Sequence, residues 1–229
     1  MEDLSEKEQL DAIRAWWTEN GSYVIGGIVV GIVVIFGWNR WQTSVADTEI
    51  AASTLFEGIM EAAELNLVDN AELPAETLFS EYSDSPYAAQ ARLAMTRLYM
   101  DTGRDQDAAD VLRPLAEMPL TDELALVGRF RMTQILLYQE KPQEVVDLVE
   151  GLPESGFSTR FSESLGDAYV MLERYADAEA AYMAASNDDP LAPTVDITKL
   201  QLKINDLPSA DQIATEAAEA AATEEDAVE

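Results

Sequence analysis

Among its 229 residues the chain has no cysteine and no histidine, and only 14 bases stand against 44 acids. Without cysteine there is no disulfide, no thiol nucleophile and no thiolate to hold a metal. Without histidine there is no imidazole general base, no Ser-His-Asp triad and no Cys/His zinc site. No glycine-rich phosphate loop appears: Gly26, Gly27 and Gly31 lie inside an uncharged run. No cofactor and no metal are expected. The net charge of −30 excludes nucleic acid and anionic headgroups as natural partners, because like charges repel. The acids are scattered, which suits a soluble, self-repelling surface better than a dedicated patch.

Charge of either sign is also missing from the 20 residues between Glu19 and Arg40, NGSYVIGGIVVGIVVIFGWN. At about 1.5 Å of rise per residue, a helix of that length covers about 30 Å, the hydrocarbon thickness of a bilayer. Trp16, Trp17 and Tyr23 precede its centre, and Trp38 and Trp41 follow, as side chains that favour the headgroup level. A cleaved signal peptide is a poorer reading. Its leader would be acidic, and Trp38, Arg40 and Trp41 would separate the core from the small residues Ser44-Val45-Ala46. A buried core helix would need apolar neighbours all round, whereas the rest of the chain reads as amphipathic helices. The expectation is one uncleaved span at 20–40. Lys7 and Arg14 before it outnumber Arg40 after it, a small bias toward an N-terminus in the cytoplasm. Residues 1–19 would then be a cytoplasmic tail.

Beyond the anchor the pattern is all-α. Residues 45–65 have a helical period through Ile50, Leu55 and Ile59, read as a semi-independent helix continuing the anchor. Pro74 and the Ser83–Pro86 cluster punctuate the chain, leaving a short helix at Ala75–Tyr82. Helices then come in pairs: Pro86–Asp101 with Asp105–Glu117, Thr121–Glu140 with Pro142–Gly151, and Ser158–Leu172 with Tyr175–Ser186. In the last pair Leu165, Gly166, Tyr169, Ala178, Tyr182, Ala185 and Pro190 have the spacing of a tetratricopeptide repeat, a helix–turn–helix unit of about 34 residues. Small Gly166 and Ala178 would let the helices approach, the tyrosines would fill the space between, and Pro190 would stop the second helix. Weaker copies lie at Met95, Tyr99, Ala108 and Leu112, and at Met132, Thr133, Leu136, Val145 and Val149. An irregular bundle is the plainer alternative, and the third unit argues against it. Residues 195–206 read as a capping helix, which closes the repeat domain at 41–207. Residues 208–229, rich in Ala and Glu, read as a disordered acidic tail.

Several parts together resemble a known family. They are the aromatic pair with Glu19-Asn20-Gly21 before a glycine-bearing span, Gly37-Trp38-Asn39-Arg40-Trp41 after it, the helix around residues 45–64, and the ending LQLKINDL at 200–207. In that order they resemble the ancillary SecYEG translocon subunits, membrane-anchored tetratricopeptide proteins. The resemblance implies an inner-membrane protein with a cytoplasmic N-terminus and a periplasmic repeat domain. As partners it implies the SecYEG translocon and a membrane-anchored periplasmic chaperone of the peptidyl-prolyl isomerase type. A non-catalytic scaffold that passes exported chains to chaperones would follow. The extreme acidity and the tail after Leu207 are not part of the resemblance. A scaffold for another envelope assembly or stress-signalling pathway is the alternative, and copurifying proteins would separate the two.

Repeat stacks bind through the face built from the first helix of each unit. Here that face would carry Arg97 and Met100, then Phe130, Gln134, Leu137 and Tyr138, then Arg160, Asp167 and Met171, with Gln90, Leu93, Val127, Glu163 and Val170 beside them. A one-residue error of helical phase would instead bury Leu93, Leu137 and Val170. In the span, Gly27 and Gly31 form a small-xxx-small pair that could meet another membrane helix, or could be generic filler. Glu163 and Asp167, four residues apart on one helix, could mimic an acid/base pair. Carboxylates so placed are usually solvated, and no positioned base or nucleophile accompanies them.

Overall fold

The computed structural model describes residues 6–120, 122–187 and 193–208. Thr121, Pro190 and the tail from 209 lie outside them, so the readings made there are not addressed. The chain divides into two units, Met1–Leu55 and Phe56–Glu229. Every regular element among the described residues is an α-helix.

Helix α1 runs from Glu6 to Glu64 without a break. In the first unit it is long and apolar enough to cross a membrane. Among the described residues its apolar side chains are largely uncovered: Ile28 is 57% exposed and Phe36 73%. The core-helix alternative therefore fails. Polar side chains here satisfy themselves on the helix, Thr18 Oγ1 donating to the Arg14 carbonyl at 2.8 Å and Asn20 Nδ2 to the Trp16 carbonyl at 3.1 Å. The Trp17 ring lies over Gly21, where any Cβ would crowd it, and Trp38 and Trp41 pack with centroids 5.1 Å apart.

In the second unit, the end of α1 is followed by α2 (Val68–Glu81), α3 (Pro86–Asp101), α4 (Asp105–Ala116), α5 (Glu123–Tyr138), α6 (Pro142–Val149), α7 (Ser158–Met171), α8 (Tyr175–Ala185) and α9 (Ile197–Asn205). Local chemistry sets several starts. Ser85 accepts from the Tyr87 N–H ahead of α3, Asp122 from the Leu124 N–H ahead of α5, and Asp196 from the N–H groups of Thr198 and Lys199 ahead of α9. Pro86 and Pro142 occupy first-turn positions, where their missing N–H costs nothing.

The pairs from α3 to α8 agree with the sequence reading within a residue or two at most ends. Two differences stand out before α3. The expected short helix Ala75–Tyr82 begins at Val68 instead, with Pro74 inside it. Proline removes one backbone hydrogen bond there, but Ala71, Ala75 and Leu78 are buried and hold the helix in place. Moreover, the end of α1 and α2 form a further helix–turn–helix, so the stack holds four pairs where the sequence reads as three.

One turn type joins the helices of all four pairs. Asn66, Gly103, Glu140 and Glu173 have positive φ, between 54° and 74°. The residue after each donates its N–H five residues back, Leu67 to Ala62, Arg104 to Tyr99, Lys141 to Leu136 and Arg174 to Tyr169, at 2.8–2.9 Å. Each turn residue donates three back, at 3.0–3.2 Å. This is the Schellman termination, which satisfies carbonyls at the helix end. Counted from these turns, second-helix core positions repeat as Ala71/Ala75, Ala108/Leu112, Val145/Val149 and Ala178/Tyr182, all buried. Gly166 is required by the last pair, since a Cβ would enter the Tyr182 ring.

Candidate functional site

The four turns supply a common ruler for the first helix of each pair. Six residues before each turn residue stand Met60, Arg97, Gln134 and Asp167. Three before stand Ala63, Met100, Leu137 and Val170, and two before stand Glu64, Asp101, Tyr138 and Met171. Ten before stand Phe56, Leu93, Phe130 and Glu163, while Arg160 lies thirteen before its turn. Steps of three and four residues keep all of these on one helical face. Every residue expected on the binding face from Arg97 to Met171 falls in these registers.

What the side chains do differs along the face. Tyr138 is 69% exposed, Arg97 is exposed and pairs with Asp101 at 3.4 Å, and Met171 is exposed. Met100 and Leu137 are half-buried. Gln134 is exposed and donates to Ser164 Oγ at 3.2 Å, beside the buried Thr133 hydroxyl, so α5 and α7 are bridged by polar groups. Phe130 is half-buried against Phe157, with ring centroids 6.1 Å apart, and the Arg160 guanidinium lies over both rings while its Nε donates to the Thr194 carbonyl.

Asp167 and Glu163 are committed inside the domain. Lys203 of α9 donates to both Asp167 oxygens at 2.7 and 2.8 Å and to Glu163 at 2.8 Å. The Tyr182 hydroxyl donates to Asp167 at 2.7 Å. Burial opposes the charge on Lys203, but the bonds to Asp167 and Glu163 outweigh it and hold the ammonium above its ordinary pKa. Burial, joined by the bond to Asp167, pushes the Tyr182 hydroxyl well up. These carboxylates anchor the capping helix, which leaves them no role as a free acid/base pair.

Two further arginines serve packing. Arg92 donates to the Val111 carbonyl and stacks on Phe79, and Arg129 donates to the Ala116 carbonyl at the end of α4. Burial lowers the pKa of both. Among the described residues no group of acids is placed to hold a metal ion.

Sequence reasoning missed Met60, Ala63 and Glu64, because their pair was not seen as a repeat. The available signal was Asn66, 37 residues before Gly103, followed by Ala71 and Ala75 at the small-residue positions. In the span, a Cβ at Gly27 or Gly31 would meet no other side chain among the described residues within 4 Å.

A stack of helix pairs with a repeated turn, a repeated core register and a capping helix is a tetratricopeptide-type scaffold. The tetratricopeptide repeat-like domain family matches residues 14–209, and the chain belongs to that family. It is 21% identical over 203 residues to the ancillary SecYEG translocon subunit of Escherichia coli (strain K12), covering 89% of this chain and 97% of that protein. It is 22% identical to the protein of the same name from Aggregatibacter actinomycetemcomitans, covering 89% and 98%. A shorter match, 28% over 61 residues, joins it to the Haemophilus influenzae protein of that name. No solved structure matches the chain significantly. The apolar helix and the names of these relatives fit a membrane location.

Proposed function

We propose that this protein is a non-catalytic scaffold of the SecYEG translocon. It is anchored by one inner-membrane span with its N-terminus in the cytoplasm, and its repeat domain faces the periplasm. The observation that carries the reading is the match to two translocon subunits over nearly their whole length and 89% of this chain. Orientation rests on the excess of Lys7 and Arg14 over Arg40. The repeat face, with Arg97, Met100, Phe130, Gln134, Leu137, Tyr138 and Met171, would receive exported chains and hand them to a membrane-anchored chaperone of the peptidyl-prolyl isomerase type. Gly27 and Gly31 would meet a helix of the channel or of the chaperone's anchor.

Photocrosslinking from Gly27 and Phe130 in intact membranes tests this. The expected products are channel subunits from Gly27 and the chaperone or exported chains from Phe130. Products from an unrelated envelope complex alone would overturn the pathway and leave the scaffold.

A further inference from the structure

Between the end of α1 and α3, the first helices of the first two pairs enclose a groove of about 310 Å³. Met60, Ala63, Ala94 and Leu98 supply its apolar lining, and Asn66 adds a polar amide beside them. Its rim carries the carboxylates of Glu64 and Asp101. Among the described residues Arg97 is the one base lining it, and Asp101 already holds that guanidinium at 3.4 Å. Among the described residues no base pairs with Glu64. The volume lies at the low end of the ~300–1,000 Å³ range of ligand pockets, which suits a side chain or two of a peptide better than a cofactor.

We propose that this groove takes an extended polypeptide segment in which an apolar residue is flanked by lysine or arginine. The proposal rests on the reading of the repeat face as a client surface and names the chemistry of the client. Two independent features select it. An apolar lining rewards an apolar side chain and gives nothing to a purely charged one. Met60 is 39% exposed in that lining, and its unbranched thioether adapts to differently shaped partners, as a surface receiving many sequences requires. The second feature is charge. Residues 41–208 carry 31 acids against 11 bases, which leaves an acidic field around the groove, and several of those bases are used in packing: Arg92, Arg104, Arg129, Arg160, Arg174 and Lys203 all bond within the domain. A basic segment is drawn in by that field, whereas an acidic one meets uncompensated Glu64.

The test uses the full chain in nanodiscs of zwitterionic lipid and three short fluorescent peptides: leucine with lysine, leucine with aspartate, and serine with lysine. Fluorescence anisotropy should show binding of the lysine–leucine peptide, weakening as salt rises, with the other two weaker by about tenfold or more. Glu64→Lys with Asp101→Lys should weaken the lysine–leucine peptide by about tenfold, and Ala94→Trp, which fills the groove, by a similar factor. Circular dichroism confirms that each variant is folded, and the rim variant alone is decisive if Ala94→Trp is not. Equal binding of the aspartate and lysine peptides, or unchanged binding by the folded rim variant, overturns the proposal. Crosslinks from Gly27 in the same variants separate the two readings. Persistent channel crosslinks with lost peptide selectivity sink only this inference. Peptide selectivity without channel crosslinks sinks only the translocon assignment.

Discussion

Tyr99 and Tyr169 occupy the same register in their pairs, and the same small assembly surrounds each. Each hydroxyl donates to a glutamate of the preceding pair, Glu72 or Glu150. Each ring carries an arginine, Arg104 at 4.6 Å or Arg174 at 4.4 Å, whose Nε is fixed by Asp107 or Asp177. Burial, helped by the bond to Glu150, pushes the Tyr169 hydroxyl up to about 12. In the unfolded chain a tyrosine ionises near pH 10, so between about pH 10 and about pH 12 the unfolded form gives up its proton first. Stability therefore falls as pH rises through that window. Tyr169→Phe should cost about 1 kcal/mol at neutral pH for the lost hydrogen bond, yet flatten the alkaline decline. Urea denaturation of both proteins across the alkaline range measures this.

At the scale of elements, α9 is held by Leu200, which is fully buried, and by Lys203 on two carboxylates of α7. Lys203→Met should lower stability by about 1–3 kcal/mol, since it leaves Glu163 and Asp167 facing each other without a cation. Adding Asp167→Asn should recover part of that loss, read as the urea midpoint of single and double variants. Because the folded pKa of Lys203 is raised, its contribution is fully present at neutral pH and is lost only as pH climbs past the ordinary lysine range. The sequence made the later pairs legible, because Tyr169, Ala178 and Tyr182, with weaker copies at Tyr99, Ala108 and Leu112 and at Leu136, Val145 and Val149, stand at repeat spacing; the Arg and Asp beside the tyrosines were not part of that reading. The first pair was hidden: Ala62, Leu67 and Asn70 stand where Tyr99, Arg104 and Asp107 stand later, and Pro74 reads as a break. Which residues share one helical face was legible, since helical steps suffice to define it; that this face binds a partner is part of the proposal. The engagement of Asp167 was not, because its partner lies 36 residues further on in a separate helix.

Over the whole molecule, 44 acids and 14 bases make self-repulsion the dominant long-range term. Salt shortens its reach from about 10 Å at 0.1 M to about 3 Å at 1 M. The thermal midpoint of the repeat domain should therefore rise with sodium chloride over that interval. A midpoint that falls or stays level would mean that ion pairs such as Arg104–Glu72 outweigh the repulsion. The identical helix terminations carry a further meaning. The amides of Leu67, Arg104, Lys141 and Arg174 sit just past a helix end, where exchange with solvent deuterium is ordinarily fast, yet each is hydrogen-bonded to the helix behind it. Slow exchange at these four positions would mark the chain like graduations on a rule, 37, 37 and 33 residues apart, and would count the repeats in solution one by one.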